Sequence, residues 1–177
     1  TKVIWGDEGA HEGFEIAAKG IARVFSGPGA PEAFIPPSGD FSGRAVVVLP
    51  DGKLMVGGKG ALGQRSHLAR LTSAGTEDGS FTLSTLDGPV NALALQDDGK
   101  LLVGGEFNTP SGTLPLYRTG VLVRLNADGS LDGNFNNPGL HRVKSIAVHG
   151  EHIAISGAEQ QIWLTTTNGI PGSSYSG

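Results

Sequence analysis

The stretch Asp51–Gly58 reads DGKLMVGG, and Asp98–Gly105 reads DGKLLVGG. Seven of the eight residues are the same, one copy lying 47 positions after the other. A turn signal followed by an apolar run and a glycine pair, written twice at a period of roughly 20–50 residues, marks a chain built from copies of one supersecondary unit.

The copies extend on both sides of this stretch. The second unit runs GRAVVVLPDGKLMVGG, then a variable segment, then HLARLTSAGTEDGSF. The third runs GPVNALALQDDGKLLVGG, a longer variable segment, then VLVRLNADGSLDGNF. A worn fourth copy reads RVKSIAVHGEHIAISG and then QIWLTTTNGIPGSSY. In three units a glycine is followed six residues later by an aromatic: Gly75 to Phe81, Gly129 to Phe135 and Gly169 to Tyr175. A fainter first unit places Lys2 on Lys53, Gly6 on Gly57, Arg23 on Arg70 and Phe34 on Phe81. The units thus end at Phe34, Phe81, Phe135 and Tyr175, and residues 1–177 read as a single repeat domain.

Each unit reads as strands. VVVLP and NALALQ are β-branched or alternating runs of strand length. PDGK, DDGK and HGEH carry turn chemistry, with Gly52, Gly99 and Gly150 available for positive φ. KLMVGG and KLLVGG form the returning strand, and LARLT and LVRLN a third, turned into a short fourth segment that ends in the aromatic. No stretch argues well for a helix. HEGFEIAAKGIARVF has some helical spacing, but its place in the repeat predicts strand from about Gly20 onward.

Composition agrees with short strands and many tight turns: 29 glycines, 10 prolines and only 17% charged residues. A net charge of -4 leaves no basic footprint for nucleic acid. No apolar run approaches the roughly 18 residues of a membrane span. The absence of cysteine excludes disulfides, thiolate metal sites and cysteine nucleophiles. The opening TKVIWGDEG has neither an initiator Met nor a signal-peptide pattern, so the expectation is a processed product, an excised piece or the ordered part of something longer.

The pattern V-x-A-L-A-L-x-x-DGK-L-x-V-G-G, followed by R-L-x-x-D-G-S-L-D-x-x-F, resembles the bacterial β-propeller repeat called the delta-sixty repeat. The third unit, Val90 to Phe135, carries the resemblance most fully, the second well, the fourth weakly and the first only in its latter part. It implies blades of antiparallel strands around an axis, in large bacterial surface or secreted proteins of varied role. Four-strand units at this period suggest a propeller without the family as well. The fold expected is all-β, with three whole blades and one partial blade, the first beginning at its second strand. Other chains or missing sequence would complete the ring. Valines and leucines of the first two strands would form the core between blades, and each terminal aromatic would plug between neighbours.

Five places in the sequence invite a chemical reading. NADGSLDG sets Asn126, Asp128 and Asp132 on one turn, which invites calcium, but the matching SAGTEDG keeps only Glu77 and Asp78, shifted, and a hairpin turn already explains Asp beside Gly. His149 and His152 lie three apart across a hairpin turn, where they would point in different directions, so no metal site is expected. Arg23, Arg70 and Arg124 recur at one station, with Trp163 there in the fourth unit; each arginine would pair with a carboxylate or lie over apolar surface. Ser66 with His67, or Ser145 with His149, lacks a nucleophile-elbow pattern and an orienting carboxylate. GKGALGQRS lacks the arrangement that cradles phosphate and reads as a loop between the second and third strands. Specific recognition is best placed in the insertion EFNTPSGTLPLYRTG, with Phe107, Tyr117 and Arg118 as its candidate contacts.

The expectation is therefore a non-catalytic interaction module without cofactor or metal, assembling with other copies of itself or with other structural subunits in a surface, secreted or virion-type structure. Its setting would be extracellular, cell-surface or virion. Two alternatives stand beside it: a lectin-like glycan binder stacking sugar on Trp5, Trp163 or Tyr117, and a saccharide hydrolase or lyase with its site at the channel mouth.

Overall fold

The computed structural model describes residues 2–4, 22–24, 38–83, 86–107, 122–136, 142–157, 161–166 and 171–176. Phe34, Trp5, Tyr117 and Arg118 lie outside them. The described residues are all-β, with no helix, and form four antiparallel sheets in chain order. β1 (Lys2–Ile4) pairs β2 (Ala22–Val24); β3 (Ser42–Val48), β4 (Leu54–Leu62) and β5 (Arg65–Leu71) form the second sheet; β6 (Val90–Leu95), β7 (Leu101–Gly105) and β8 (Leu122–Leu125) form the third. The fourth runs β9 (Ser145–His149), β10 (His152–Ser156), β11 (Gln161–Thr166) and β12 (Pro171–Ser176). Each sheet is one sequence unit, and its strands are ordered as they occur in the chain.

The Asp-Gly turns explain why neighbouring strands fold back at these points. Leu49 N–H donates to the Lys53 carbonyl and Gly52 N–H to the Leu49 carbonyl, a three-residue hairpin loop in which Gly52 sits at φ 82°. The same pair of bonds recurs from Thr72, Gln96 and Asn126, with Gly75, Gly99 and Gly129 at φ 91°, 80° and 93°. Asp51 and Asp98 each accept from the amide two residues on, at 3.1 Å, so the aspartate sets the turn and the glycine supplies its left-handed residue.

Alternation along the strands then assigns the faces. Met55 and Leu68 pack toward the third sheet, where they join Phe81, Val90, Leu101, Val103, Val123 and Leu125 in one core cluster. Leu54, Val56 and Leu71 face the opposite way, with Phe41 and Leu62. Leu102 and Leu122 face the fourth sheet and meet Val143, Ile153 and Ile155. Successive first strands β3, β6 and β9 lie side by side, so these edges of the sheets converge. Two of the four terminal aromatics sit as expected: Phe81 is buried between the second and third sheets, and Phe135 is half-buried against the core between the third and fourth; the side chains of Phe34 and Tyr175 lie outside the described residues.

The glycine pair in VGG has two separate jobs. A β-carbon on Gly57 would stand 2.5 Å from Val90 Cγ1, and one on Gly104 would stand 2.4 Å from Val143 Cγ1, so the first glycine admits the next sheet. The second, Gly58 or Gly105, would clash at 2.2 Å with a carbonyl of its own sheet's first-strand segment, that of Ser42 or Pro89.

The structure departs from the sequence reading at four points of architecture. Among the described residues only the fourth sheet has four strands; in the second and third the fourth segment is a single bridge, Leu71 to Glu77 and Leu125 to Leu131. The cause is a tight turn, in which the Phe81 amide bonds back to the Asp78 carbonyl and the Phe135 amide to that of Asp132, swinging each ring inward. GKGALGQRS is largely strand rather than loop, because β4 continues to Leu62 and turns at Gly63–Gln64. In the first sheet Val3 pairs with Arg23, as Met55 pairs with Arg70. Val3 therefore occupies the station that residue counting gave to Ile4, because pairing sets register. Likewise Leu164 pairs with Ala154 as Arg124 pairs with Leu102, so Leu164, not Trp163, stands at the arginine station.

Candidate functional site

Two polar constellations follow the repeat. The first joins the DGK lysine, the third-strand arginine and an aspartate. Asp78 Oδ2 lies 3.0 Å from Lys53 Nζ and 2.9 Å from Arg70 Nε. Asp132 Oδ2 lies 2.9 Å from Lys100 Nζ and 2.8 Å from Arg124 Nε. The two guanidinium groups lie over the unit-ending rings, 5.1 Å from the Phe81 centroid and 5.0 Å from that of Phe135. Each clasp thus ties the turn before the second strand, the third strand, the bridge segment and the plug aromatic together. Arg70 and Arg124 pair with carboxylates and lie over apolar surface, as their recurrence predicted, while the side chain of Arg23 lies outside the described residues.

The clasp lowers the pKa of its aspartates. The Ser80 hydroxyl, its amide, Lys53 and Arg70 hold the Asp78 carboxyl well below the usual carboxylate range, against burial, which opposes them. Lys100 is the main cause of the same downward shift at Asp132, with the Asn134 amide and Arg124 adding to it. Asp78 raises the pKa of Lys53 in return. Asp78 is the true counterpart of Asp132 rather than a shifted acid, and both carboxylates are turned onto cations. Asp128 instead accepts from the hydroxyl and amide of Ser130 at 2.7 and 2.8 Å, which lowers its pKa. Asn126 donates to the Ser130 hydroxyl at 2.9 Å. The three residues of the calcium reading therefore serve turn and clasp separately.

The second constellation lines the converging first strands. The β3 and β6 ladders each slip by one residue, between Gly43 and Ala45 and between Val90 and Ala92. The bulged residues are Arg44 and Asn91, and Lys144 holds the same place before β9. Arg44 donates to the Asn91 side-chain oxygen; Asn91 donates to the Val143 carbonyl at 3.0 Å and to Glu106 at 3.4 Å. This line of bonds runs across three sheets. Its signal in the sequence was a polar residue one position before each alternating run.

His67 lies close to this edge in an unusual setting. Three residues of β4, Gly58 to Gly60, oppose it alone, and its φ is 67°. Its Nδ1 accepts the Gly60 amide at 3.2 Å, and burial is the main cause of its lowered pKa. The imidazole closes a wide bulge; Ser66 is simply the next residue along β5. Near it, Arg65 binds Glu77 at 3.1 Å and donates to the Phe81 and Leu83 carbonyls, gripping the chain where it leaves the second sheet.

The remaining sequence candidates fall differently. Phe107, expected in a recognition loop, is 1% exposed and belongs to the core. Its ring occupies the space that a β-carbon on Gly105 would take. Tyr117 and Arg118 lie outside the described residues. His149 and His152 are direct cross-strand partners and so share a face rather than diverge, because the turn between them has only two residues. Among the described residues no three His, Asp or Glu side chains are grouped to hold a metal ion. No described helix is long and apolar enough to cross a membrane. Trp163 packs half-buried against the core between the third and fourth sheets, and is no open stacking platform.

The family model described as "Domain of unknown function (DUF5122) beta-propeller" matches residues 49–81 and 96–135. The two segments are the second and third units from their Asp-Gly turns to their terminal phenylalanines, and they support a β-propeller repeat family. No curated protein matches the chain.

Proposed function

We propose that this chain is a non-catalytic propeller module that works by docking, joining other copies of itself or other structural subunits in a surface, secreted or virion-type assembly. One observation carries the reading: the recurrent polar groups are engaged in bracing each sheet and in joining it to the next. Arg70 donates to the Ala127 carbonyl, Thr82 donates twice to that of Asp128, and Arg44, Asn91 and the Val143 carbonyl link three first strands. The chemistry of the repeat is blade docking. The resemblance of the third unit to the delta-sixty repeat supports an extracellular setting.

The test is a turnover screen of the purified chain against neutral and acidic oligosaccharides, run beside a glycan array. The expected result is no turnover above buffer. Saccharide cleavage that persists in pure protein would replace this reading with the hydrolase or lyase; glycan binding lost on Tyr117→Ala would replace it with the lectin.

A further inference from the structure

Among the described side chains, Lys53, Arg65, Arg70, Lys100 and Arg124 each form an ion pair. Arg44, Lys59, Arg142 and Lys144 form none with a described carboxylate, and all four are exposed. These four gather at one end of the molecule. Arg44 is the bulged residue at the start of β3, and Lys59 of β4 pairs with Ser42 beside it. Lys144 holds the same place before β9, with Arg142 two residues earlier. The line of bonds from Arg44 through Asn91 to the Val143 carbonyl brings these strand starts together, at the end opposite the turns of Gly52 and Gly99.

The backbone adds a second observation at the same end. His67 and Arg142 are the non-glycine residues at positive φ among the described residues, at 67° and 48°. A left-handed conformation is disfavoured for a residue with a β-carbon, and such strain collects where side chains are held in place for a ligand. His67 also has the cations close by. Burial is the main cause of its lowered pKa, and Lys59 and Arg44 add to it while Asp87 opposes them, so these three charges stand within reach of the ring.

We propose that this end, around Arg44, Lys59, Arg142 and Lys144, binds acidic side chains spaced along an extended segment of a partner subunit. The inference rests on the docking reading above and names the chemistry of the partner. The chain as a whole carries -4, so an end where unpaired cations predominate reverses its charge locally, and such a reversal selects an anionic partner. Asp40, Asp87 and Glu106 are exposed at the same end: the Asp40 carbonyl lies beside Gly60, Asp87 acts on His67, and Glu106 accepts from Asn91. These carboxylates decide the class of ligand. A dense polyanion such as a nucleic acid or a sulfated polysaccharide would be driven against them, whereas single carboxylates along a peptide can each meet a cation and pass the acids by. Asn91, with its amide engaged by Arg44 and the Val143 carbonyl, fixes the distance between the flanking cations without neutralising either.

The experiment is fluorescence anisotropy on a fluorescein-labelled peptide that alternates glutamate with serine, beside its glutamine counterpart, with dextran sulfate as a competing polyanion. The glutamate peptide is expected to bind and the glutamine peptide not, with the binding weakened by added salt as exposed charges are screened. Arg44→Ser with Lys144→Ser should raise Kd about five- to tenfold, while Lys144→Arg, which keeps the charge, leaves it within about twofold. Should loss of the Arg44 bond to Asn91 disturb the fold, as circular dichroism and thermal melts would show, Arg142→Ser with Lys144→Ser gives the same reading, since neither side chain bonds a described residue. Equal binding of the glutamine peptide, no binding of either at low salt, or a Kd unchanged by the paired serine variants each overturns the inference. Dextran sulfate that displaces the peptide better than unlabelled peptide does, at equal charge, overturns the class of partner. None of these outcomes bears on saccharide turnover, which tests the docking reading separately.

Discussion

Gly104 lies directly against Val143: a β-carbon there would stand 2.4 Å from Val143 Cγ1 and 2.9 Å from its Cβ. Valine is short and stiff at χ1, so it has no flexible end to swing aside. Gly104→Ala is therefore expected to destabilise the chain by about 2–3 kcal/mol through overpacking, despite the better intrinsic propensity of alanine. Equilibrium urea unfolding gives the value. Pairing the change with Val143→Ala should recover more than half of it, and an additive double variant would show that the contact is not the cause.

The Arg124–Asp132 pair is almost wholly buried, its side chains 2% and 5% exposed, and Lys100 closes on the same oxygen. Asp132→Asn leaves a guanidinium in the core without its counter-charge, at about 3–5 kcal/mol. The native pKa values of Asp78, Asp128 and Asp132 all lie below their unfolded values. Their contribution is thus present above the unfolded pKa near 3.8 and is lost as pH falls through the lower folded values. Melting temperature should drop steeply below pH 4, and less steeply in Asp132→Asn. Equal slopes in the two proteins would count against the linkage.

What the sequence discloses and what it hides divide along a physical line. Asp51-Gly52 and Asp98-Gly99 are local turn chemistry, and the alternation of NALAL is a local period, so strand order and the division into sheets could be read directly. Contacts made across sheets could not. Phe107 follows its strand and Phe41 precedes one, yet both rings fill the space beside a second glycine, Gly105 and Gly58; no alignment of units pairs them. Leu164 displaced Trp163 from the arginine station because strand pairing and not residue count fixes register. The clasp lay half in view: the arginines recurred visibly, but Lys53 and Asp78 meet only once a hairpin and a turn have brought them together.

His67 offers a pH response of the opposite origin from the aspartates. Its pKa is lowered chiefly by burial, while its Nδ1 accepts the Gly60 amide, a bond that only the neutral ring can accept. The native state therefore binds fewer protons than the unfolded chain below about pH 6.5, and stability falls as pH drops from there toward the folded pKa. His67→Asn keeps a residue that tolerates φ 67° and an acceptor that does not titrate. The expected result is a lower melting temperature at pH 5.5 than at pH 7.5 for the wild type, and a difference at least halved in the variant. An undiminished difference would assign the response to another group.

Gln96 is 4% exposed, and neither its amide oxygen nor its amide nitrogen has a hydrogen-bond partner. It opens the turn from Gln96 to Lys100 just as Leu49 opens the one from Leu49 to Lys53, and Leu49 packs against the core between the second and third sheets. The repeat thus shows which residue the position accepts. An unmet buried amide costs about 1–3 kcal/mol, so Gln96→Leu should raise stability by about 1–2 kcal/mol once imperfect packing is allowed for. Chemical denaturation reads this as a higher midpoint at unchanged slope. A lower midpoint would mean that the amide holds a bridging water of structural value, and Gln96→Glu, which adds a charge at the same shape, should then destabilise more than Gln96→Leu.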